Sequence, residues 1–178
     1  AILAGGSDGD GDALVVFNPA SHARHEVVSV PGRGLQLIRV EACAWAPAVG
    51  DDAPAVEVGA DSFDNGLVRV RWDDNGLLTE VWDHEHQRQV LAAGRRGNVF
   101  QLHDDHPNAF DAWDVDPTYR DRMIDLVDAD RIEVVQTDPL RASLRIERSF
   151  GSSRVTQLMH VTAASRRIEF ETEVEWQE

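Results

Sequence analysis

The chain has 178 residues and carries 32 acidic against 17 basic side chains, which gives a formal net charge of −15 at pH 7. An acidic surface repels nucleic acid and anionic membranes, so both classes of partner are excluded, whereas neutral sugars remain compatible. This length can bury a sizeable core but is small for a carbohydrate-active enzyme that must frame a cleft, so one or two β-modules are expected.

The first third of the chain alternates strand-like runs with turn residues. Residues 1–12 are rich in Gly, Ser and Asp, which predicts a flexible leader. Strand-like runs follow at Ala13–Asn18, Arg24–Val30 and 35–42. Residues 46–61 contain Pro and Gly without a period, which is typical of a linker. We therefore expect a small N-terminal β-unit and its linker to occupy residues 13–60.

After residue 61 the alternation sharpens. Val68, Val70 and Trp72 alternate with arginines, and Asn75-Gly76 supplies a hairpin turn into a strand at 77–82. The segment 119–127 could form one or two helical turns, but no longer helical period exists. The sequence therefore predicts an all-β chain whose main antiparallel β-sandwich spans residues 61–178.

The last third contains the clearest strands. Arg141–Phe150 and 154–163 are joined by Gly151-Ser152-Ser153, which predicts a hairpin. In the final strand, apolar residues at 168, 170, 174 and 176 alternate with four glutamates at 169, 171, 173 and 175. A period of two with one charged set predicts a strand that buries one face and solvates the other.

Residues 104–116 combine five carboxylates with a tryptophan between two strand-like segments. Carboxylates bond sugar hydroxyls or do acid/base work, and an indole face covers the apolar side of a pyranose. The candidate substrate-binding residues are Asp111, Trp113 and Asp114. The structural alternative is an Asp that accepts backbone N–H groups and a Trp that plugs the core.

Other constellations are weaker. Asp8, Asp10 and Asp12 resemble the start of a calcium loop, but Ala13 and Pro19 occupy its diagnostic Gly and Glu positions. The histidine pairs His84/His86 and His103/His106 lack a third zinc ligand placed by the sequence, which favours solvated loops. No catalytic or metal-binding residue is therefore predicted in this chain.

The single cysteine and the hydropathy limit which disulfides and membrane segments the chain can contain. Cys43 excludes an intrachain disulfide, and its place at the end of an apolar strand predicts an inert, buried thiol. No apolar run approaches the length of a membrane span, and no basic segment followed by an apolar one begins the chain. A cytoplasmic location is favoured.

Five segments in order resemble the C-terminal β-sandwich region of family 38 glycoside hydrolases, the α-mannosidases. The most specific is Gly97-Asn98-Val99-Phe100-Gln101-Leu102-His103-Asp104-Asp105-His106-Pro107, which is followed by Phe110-Asp111-Ala112-Trp113-Asp114-Val115. The others are Val16-Phe17-Asn18-Pro19-Ala20-Ser21-His22-Ala23-Arg24, Asn65-Gly66-Leu67-Val68-Arg69-Val70 with the strand up to Asp83, Gly151-Ser152-Ser153-Arg154-Val155-Thr156-Gln157, and Arg167-Ile168-Glu169-Phe170-Glu171-Thr172-Glu173-Val174-Glu175-Trp176. Concordance at five ordered places is more specific than any one motif.

The resemblance implies a large curved-sheet supersandwich of the galactose-mutarotase-like kind, which in the family continues beyond residue 178. It also implies that the catalytic groups and zinc ligands of the parent protein belong to an α/β barrel followed by a helical bundle. These residues cannot build that barrel, because they show no αβ alternation. This chain would hold no cofactor, and its partners would be the rest of the parent chain and an α-mannoside or other sugar.

Three functions remain open from the sequence. The first is an accessory domain of a retaining, zinc-assisted α-mannosidase that braces the barrel and walls the sugar cleft. The second is a stand-alone carbohydrate-binding β-module that uses Trp113 and neighbouring acids. The third is a purely structural sandwich.

Overall fold

The computed structural model describes residues 2–6, 13–104, 109, 110, 113, 115 and 117–177, with side chains omitted for 2–6 and 13. Regular structure in this part is β-strand apart from one 3-10 helix at Pro117–Asp121. The first strands are β1 Ile2–Gly6, β2 Ala13–Asn18, β3 Arg24–Val30, β4 Gly34–Val40, β5 Ala44–Pro47, β6 Glu57–Val58, β7 Ser62–Asp64 and β8 Val68–Trp72. The remaining strands are β9 Leu78–Asp83, β10 Arg88–Gln89, β11 Phe100–His103, β12 Met123–Leu126, β13 Arg131–Asp138, β14 Arg141–Phe150, β15 Ser153–Thr162 and β16 Ile168–Glu175.

All strand pairs among these residues are antiparallel. The two largest sheets have the orders β10-β9-β8-β7-β6 and β13-β14-β15-β16. Smaller sheets have the orders β1-β2-β5, β3-β4 and β11-β12. Neighbours in sequence pair with each other almost throughout, because short turns favour antiparallel hairpins. The predicted all-β, antiparallel sandwich class is confirmed.

The main core lies between the two largest sheets. Phe63 and Val70 from one sheet share a buried apolar cluster with Leu144, Ile146 and Met159 from the other. Buried residues alternate with more exposed ones along β8 and β15, which is how two twisted sheets build a common core. The sandwich therefore leaves its loops and its sheet edges available for other contacts.

A second, smaller core lies among residues 13–60. Val16, Val30, Ile38 and Val40 pack together with Ala48 and join β2, β3 and β4. Two residues of the predicted linker segment, Ala48 and Val56, are buried. The division of the chain into leader, small β-unit and main sandwich stays a prediction.

Two local expectations were wrong. The helical turns expected at 119–127 are limited to the 3-10 helix, because β12 pairs with β11 from Met123 onward. Cys43 is exposed and not buried, since it occupies a tight turn with a φ of 50° and its backbone N–H donates to the carbonyl of Ala20. The apolar residues that precede Cys43 in the sequence do not bury it, because it lies in the turn between β4 and β5.

The final strand has the predicted alternation but not the predicted burial. The glutamates of β16 are exposed as expected. The opposite, apolar face is also open, with Phe170 41%, Val174 49% and Trp176 57% exposed. β16 lies at the edge of its sheet, and the apolar side chains that the alternation predicted to be buried are exposed there.

Candidate functional site

Several polar residues in the segments that carry the family resemblance have structural roles. Asn65 donates its amide to the carbonyls of Thr162 (2.7 Å) and Ser165 (2.6 Å). Its Oδ1 accepts the N–H groups of Leu67 and Val68 at 3.0 and 2.9 Å. Because every polar atom of this buried side chain is used in joining the start of β8 to the turn after β15, Asn65 is not available to a ligand.

Two further motif positions bond to each other. Asn98 donates to Oε1 of Gln157 at 2.6 Å, and the amide of Gln157 donates to Thr172 Oγ1 at 3.2 Å. Gln157 is buried in the middle of β15. These bonds tie the segment before β11 to β15 and β16, and so they fix where the β11–β12 hairpin leaves the sandwich.

That hairpin carries the acid-rich loop 104–116 and forms a groove of about 500 Å³ at the base of the loop. The residues that line this hairpin groove include Leu102, His103, Asp104, Arg122, Ile124 and Trp176. Leu102 and Ile124 face each other in the β11–β12 register, while Trp176 follows β16. The groove therefore joins the base of the candidate loop to the open apolar face of β16.

Polar bonds hold the two ends of the loop together. The carboxylate of Asp104 lies 3.3 Å from Nη1 of Arg122, and the N–H of Asp104 donates to the carbonyl of Arg122 at 3.1 Å. The ring of His103 lies 4.9 Å from that of Tyr119, and its Nδ1 is 3.2 Å from the carbonyl of Tyr119. These bonds fix the residues at the two ends of the connection between β11 and β12.

The structure describes one of the three predicted substrate-binding residues. Trp113 is 83% exposed, so it does not plug the core. Its ring packs edge-on against the Phe110 ring with centroids 5.6 Å apart, and the backbone N–H of Trp113 donates to the backbone carbonyl of Phe110 at 2.9 Å. Phe110 adopts a φ of 59° in this turn. Asp111 and Asp114 lie outside the described residues, so the assignment of the three side chains stays a prediction.

Two of the histidines considered as zinc ligands, His84 and His86, have carboxylate partners, whereas Nδ1 of His103 lies beside the backbone carbonyl of Tyr119. Nε2 of His84 lies 3.0 Å from both carboxylate oxygens of Asp64, and Nδ1 of His86 lies 2.7 Å from Asp83. Partial burial raises the pKa of Asp83, but hydrogen bonds from the backbone and ring of His86 outweigh it and leave the pKa below its ordinary value. Within the described ranges, no group of three or more His, Cys, Asp or Glu is placed to hold a metal. His106 and residues 8–12 fall outside these ranges.

Two polar features were missed from the sequence. Arg148 is fully buried on the core face of β14, and burial lowers its pKa against the opposing effect of Asp73 and Asp130. On the outer face of the same sheet, Ser143 Oγ lies 2.7 Å from Nδ1 of His160. A period-two pattern marks both positions only as strand residues, so no local signal distinguishes them.

Comparisons with known proteins cover the whole chain. Residues 63–178 match the family described as "Glycosyl hydrolases family 38 C-terminal domain". The full chain aligns at 31% identity with alpha-mannosidase 2C1 of Mus musculus and also with alpha-mannosidase 2C1 of Homo sapiens. A match of 24% identity over 85% of the chain is to alpha-mannosidase G of Dictyostelium discoideum. The chain spans only 19% of the length of the first two relatives and 15% of the third.

Proposed function

Because this chain belongs to the family of glycosyl hydrolases family 38 C-terminal domains, we propose that it is an accessory β-sandwich of a retaining α-mannosidase-like hydrolase. In that role it braces the catalytic part of the parent protein and walls the sugar cleft with the loop 104–116. The relatives' names, which are all of α-mannosidases, support the reaction and the substrate class. The open apolar face of β16 is the observation that carries the bracing role.

That face is unusual for a strand in water. Phe170, Val174 and Trp176 are exposed along one side of β16, and Met123 and Ile124 of the neighbouring β12 are exposed as well. Contiguous exposed apolar side chains mark contact sites between domains or proteins. We assign this surface to contact with the parent's catalytic region.

The bracing role can be tested in the full-length protein. Phe170→Ser together with Val174→Ser should lower the melting temperature and increase protease cleavage between the domains. Glu171→Ser on the opposite face is the matched control, since its side chain already faces solvent. If the double variant and the control melt alike, this face does not brace the parent.

The sugar-facing role rests on the loop. Trp113 presents an indole to solvent beside Phe110, from a loop whose ends are fixed by the β11–β12 hairpin. An exposed aromatic ring on a loop carried by a rigid sheet is a common way to hold a ligand. Asp111 and Asp114 flank this ring in the sequence and would supply hydrogen-bond acceptors for sugar hydroxyls.

Catalysis belongs to the rest of the parent. Retention requires two carboxyl groups about 5–5.5 Å apart, one as nucleophile and one as acid/base. Zinc is likewise assigned to the parent's catalytic domain, following the family to which this chain belongs. The purified 178-residue chain should not hydrolyse an aryl α-mannoside, with or without added zinc, and zinc-dependent turnover that survives repurification would refute this assignment.

A stand-alone carbohydrate-binding module is the second candidate, and the exposure of Trp113 favours it over a purely structural sandwich. Titration of the chain with mannose and mannobiose, followed by tryptophan fluorescence, tests it. A saturable change that Trp113→Ala abolishes would support sugar binding by the chain itself.

We also assign the parent to the cytoplasm. Cys43 is an exposed free thiol and the chain's only cysteine. Reduced thiols persist in the cytoplasm, whereas secreted domains usually pair theirs. As a separate finding that bears on no compartment, no helix among the described residues has the length and apolar character needed to span a bilayer. Fractionation of cells that express the full-length protein tests the location.

A further inference from the structure

A second cleft, of about 470 Å³, lies between β3 and the turn that joins β15 to β16. Four arginines, Arg24, Arg141, Arg166 and Arg167, line this cleft together with the ring of His25. We call it the arginine cleft. Among the described residues, it shares no lining side chain with the hairpin groove.

The charge of this cleft is opposite to that of the chain. The protein carries a net charge of −15, yet the cleft collects four guanidinium groups against the carboxylates of Glu26 and Glu169. The lining therefore carries two more positive than negative charges, four guanidinium groups against two carboxylates, and concave walls strengthen a field inside a cleft.

Two of the arginines are already paired. The guanidinium of Arg24 contacts the carboxylate of Glu26. That of Arg166 contacts Glu85 and lies 3.6 Å from Asp83, neither of which lines the cleft. Both groups are therefore held in place and largely neutralised by neighbours.

The other two arginines have no such partner. Among the residues that the structure describes, no carboxylate lies within 4.0 Å of the Arg141 or Arg167 guanidinium. The Nε of Arg141 is buried and makes no hydrogen bond.

We propose that the arginine cleft binds a small dianionic oxyanion, and that a phosphate monoester the size of a sugar phosphate is its ligand. The guanidinium groups of Arg141 and Arg167, less the charge of Glu169 in the same lining, leave a net charge of about +1 to meet the charge of about −1.5 to −2 that a phosphate monoester carries at pH 7. The planar fork of N–H donors on arginine fits phosphate oxygens in pairs. The volume is at the scale of small-molecule sites, so phosphate would occupy only part of it and leave room for a sugar.

The test is calorimetric titration of the full-length protein, first with inorganic phosphate and then with glucose 6-phosphate and unphosphorylated glucose. The probe variants are Arg167→Gln, which changes an exposed side chain, and Arg141→Gln, which removes the buried donor. Arg154→Gln is the matched control, because Arg154 is an exposed arginine of β15 that does not line the cleft.

We expect wild type and Arg154→Gln to bind phosphate alike, and each probe variant to weaken binding about tenfold, since one charge-assisted contact is lost. Glucose 6-phosphate should bind at least as tightly as phosphate, while glucose should not bind at this site. If Arg167→Gln and Arg141→Gln bind phosphate as wild type does, or wild type does not bind it at millimolar concentration, the proposal is overturned. Tighter binding of phosphate than of glucose 6-phosphate would overturn the sugar phosphate as the ligand.

Discussion

Gly76 ends the turn between β8 and β9 with a φ of 69°, a conformation that side chains with a Cβ rarely adopt. A Cβ at this position would also lie 2.9 Å from Cδ1 of Ile146, in the main core. Gly66 has a similar φ of 77° but nothing within 4 Å of its Cβ position. Comparing alanine substitutions at the two glycines therefore distinguishes the cost of backbone strain from the cost of crowding in the core.

Gly66→Ala should lower the free energy of unfolding by about 1–2 kcal/mol, the cost of a left-handed conformation. Gly76→Ala should cost that amount and about 1–3 kcal/mol more, because Ile146 must move within a packed core. Urea denaturation of the two variants and wild type measures the difference. Equal losses would show that the contact with Ile146 relaxes without cost.

The environment of His160 in β15 shifts the pKa of its imidazole ring. Burial and the neighbouring Arg141 lower its pKa below the ordinary 6.5, against the opposing effect of Glu171 and Glu169. Ser143 donates its hydroxyl proton to Gln136 at 2.9 Å, so the Nδ1–H of His160 donates to Ser143 Oγ. The neutral ring is therefore the form that the fold prefers.

The lowered pKa of His160 predicts that the protein loses folding stability as pH falls. Because the pKa of folded His160 is depressed, the unfolded chain binds more protons below pH 6.5, and the stability contributed by the neutral ring is lost as pH falls. His160→Gln should remove this component. Thermal melts from pH 7.5 to 5 should show a smaller loss of stability in the variant than in wild type, and parallel curves would contradict the assignment.

At the scale of elements, alternation along the sequence predicted most strands because it is a local signal. The bounds of β2, β3 and β14 match those expected from the sequence. The burial of β16 could not be predicted in the same way, because it depends on the place of the strand at the edge of its sheet. The β11–β12 pairing was missed for a related reason, since its partners are separated by the 104–116 loop.

A few buried polar side chains connect strands and turns through hydrogen bonds. Asn65→Ala should lower the free energy of unfolding by at least about 2 kcal/mol, because two backbone N–H groups and two carbonyls lose their partner. Asn75→Ala is the matched control, since the Asn75 side chain accepts one long bond of 3.4 Å from Ala129 and should cost less than about 1 kcal/mol. Chemical denaturation of both variants checks the difference, and similar losses would show that Asn65 does not join the elements.

At the scale of the whole molecule, the sequence predicted the class of fold and the family, but not the geometry of the sites. The exposure of Trp113 and the position of the hairpin groove depend on turns around Phe110 and Tyr119 that carry no periodic signal. Local sequence patterns could not predict the arginine cleft either, because β3 and the turn after β15 are more than a hundred residues apart in the sequence. Contacts between distant segments, and not the strands themselves, create the functional surfaces.

The most direct test of the proposed role is steady-state hydrolysis of an aryl α-mannoside by the full-length protein carrying Trp113→Ala. The account predicts that kcat/KM falls by about tenfold, at the scale of a lost aromatic contact, while the melting temperature stays that of wild type because the ring is exposed. Trp45→Ala, an exposed tryptophan on the separate β1-β2-β5 sheet, should leave kcat/KM unchanged. Wild-type kinetics in Trp113→Ala, or a lower melting temperature with normal activity per folded molecule, would contradict a sugar-facing loop.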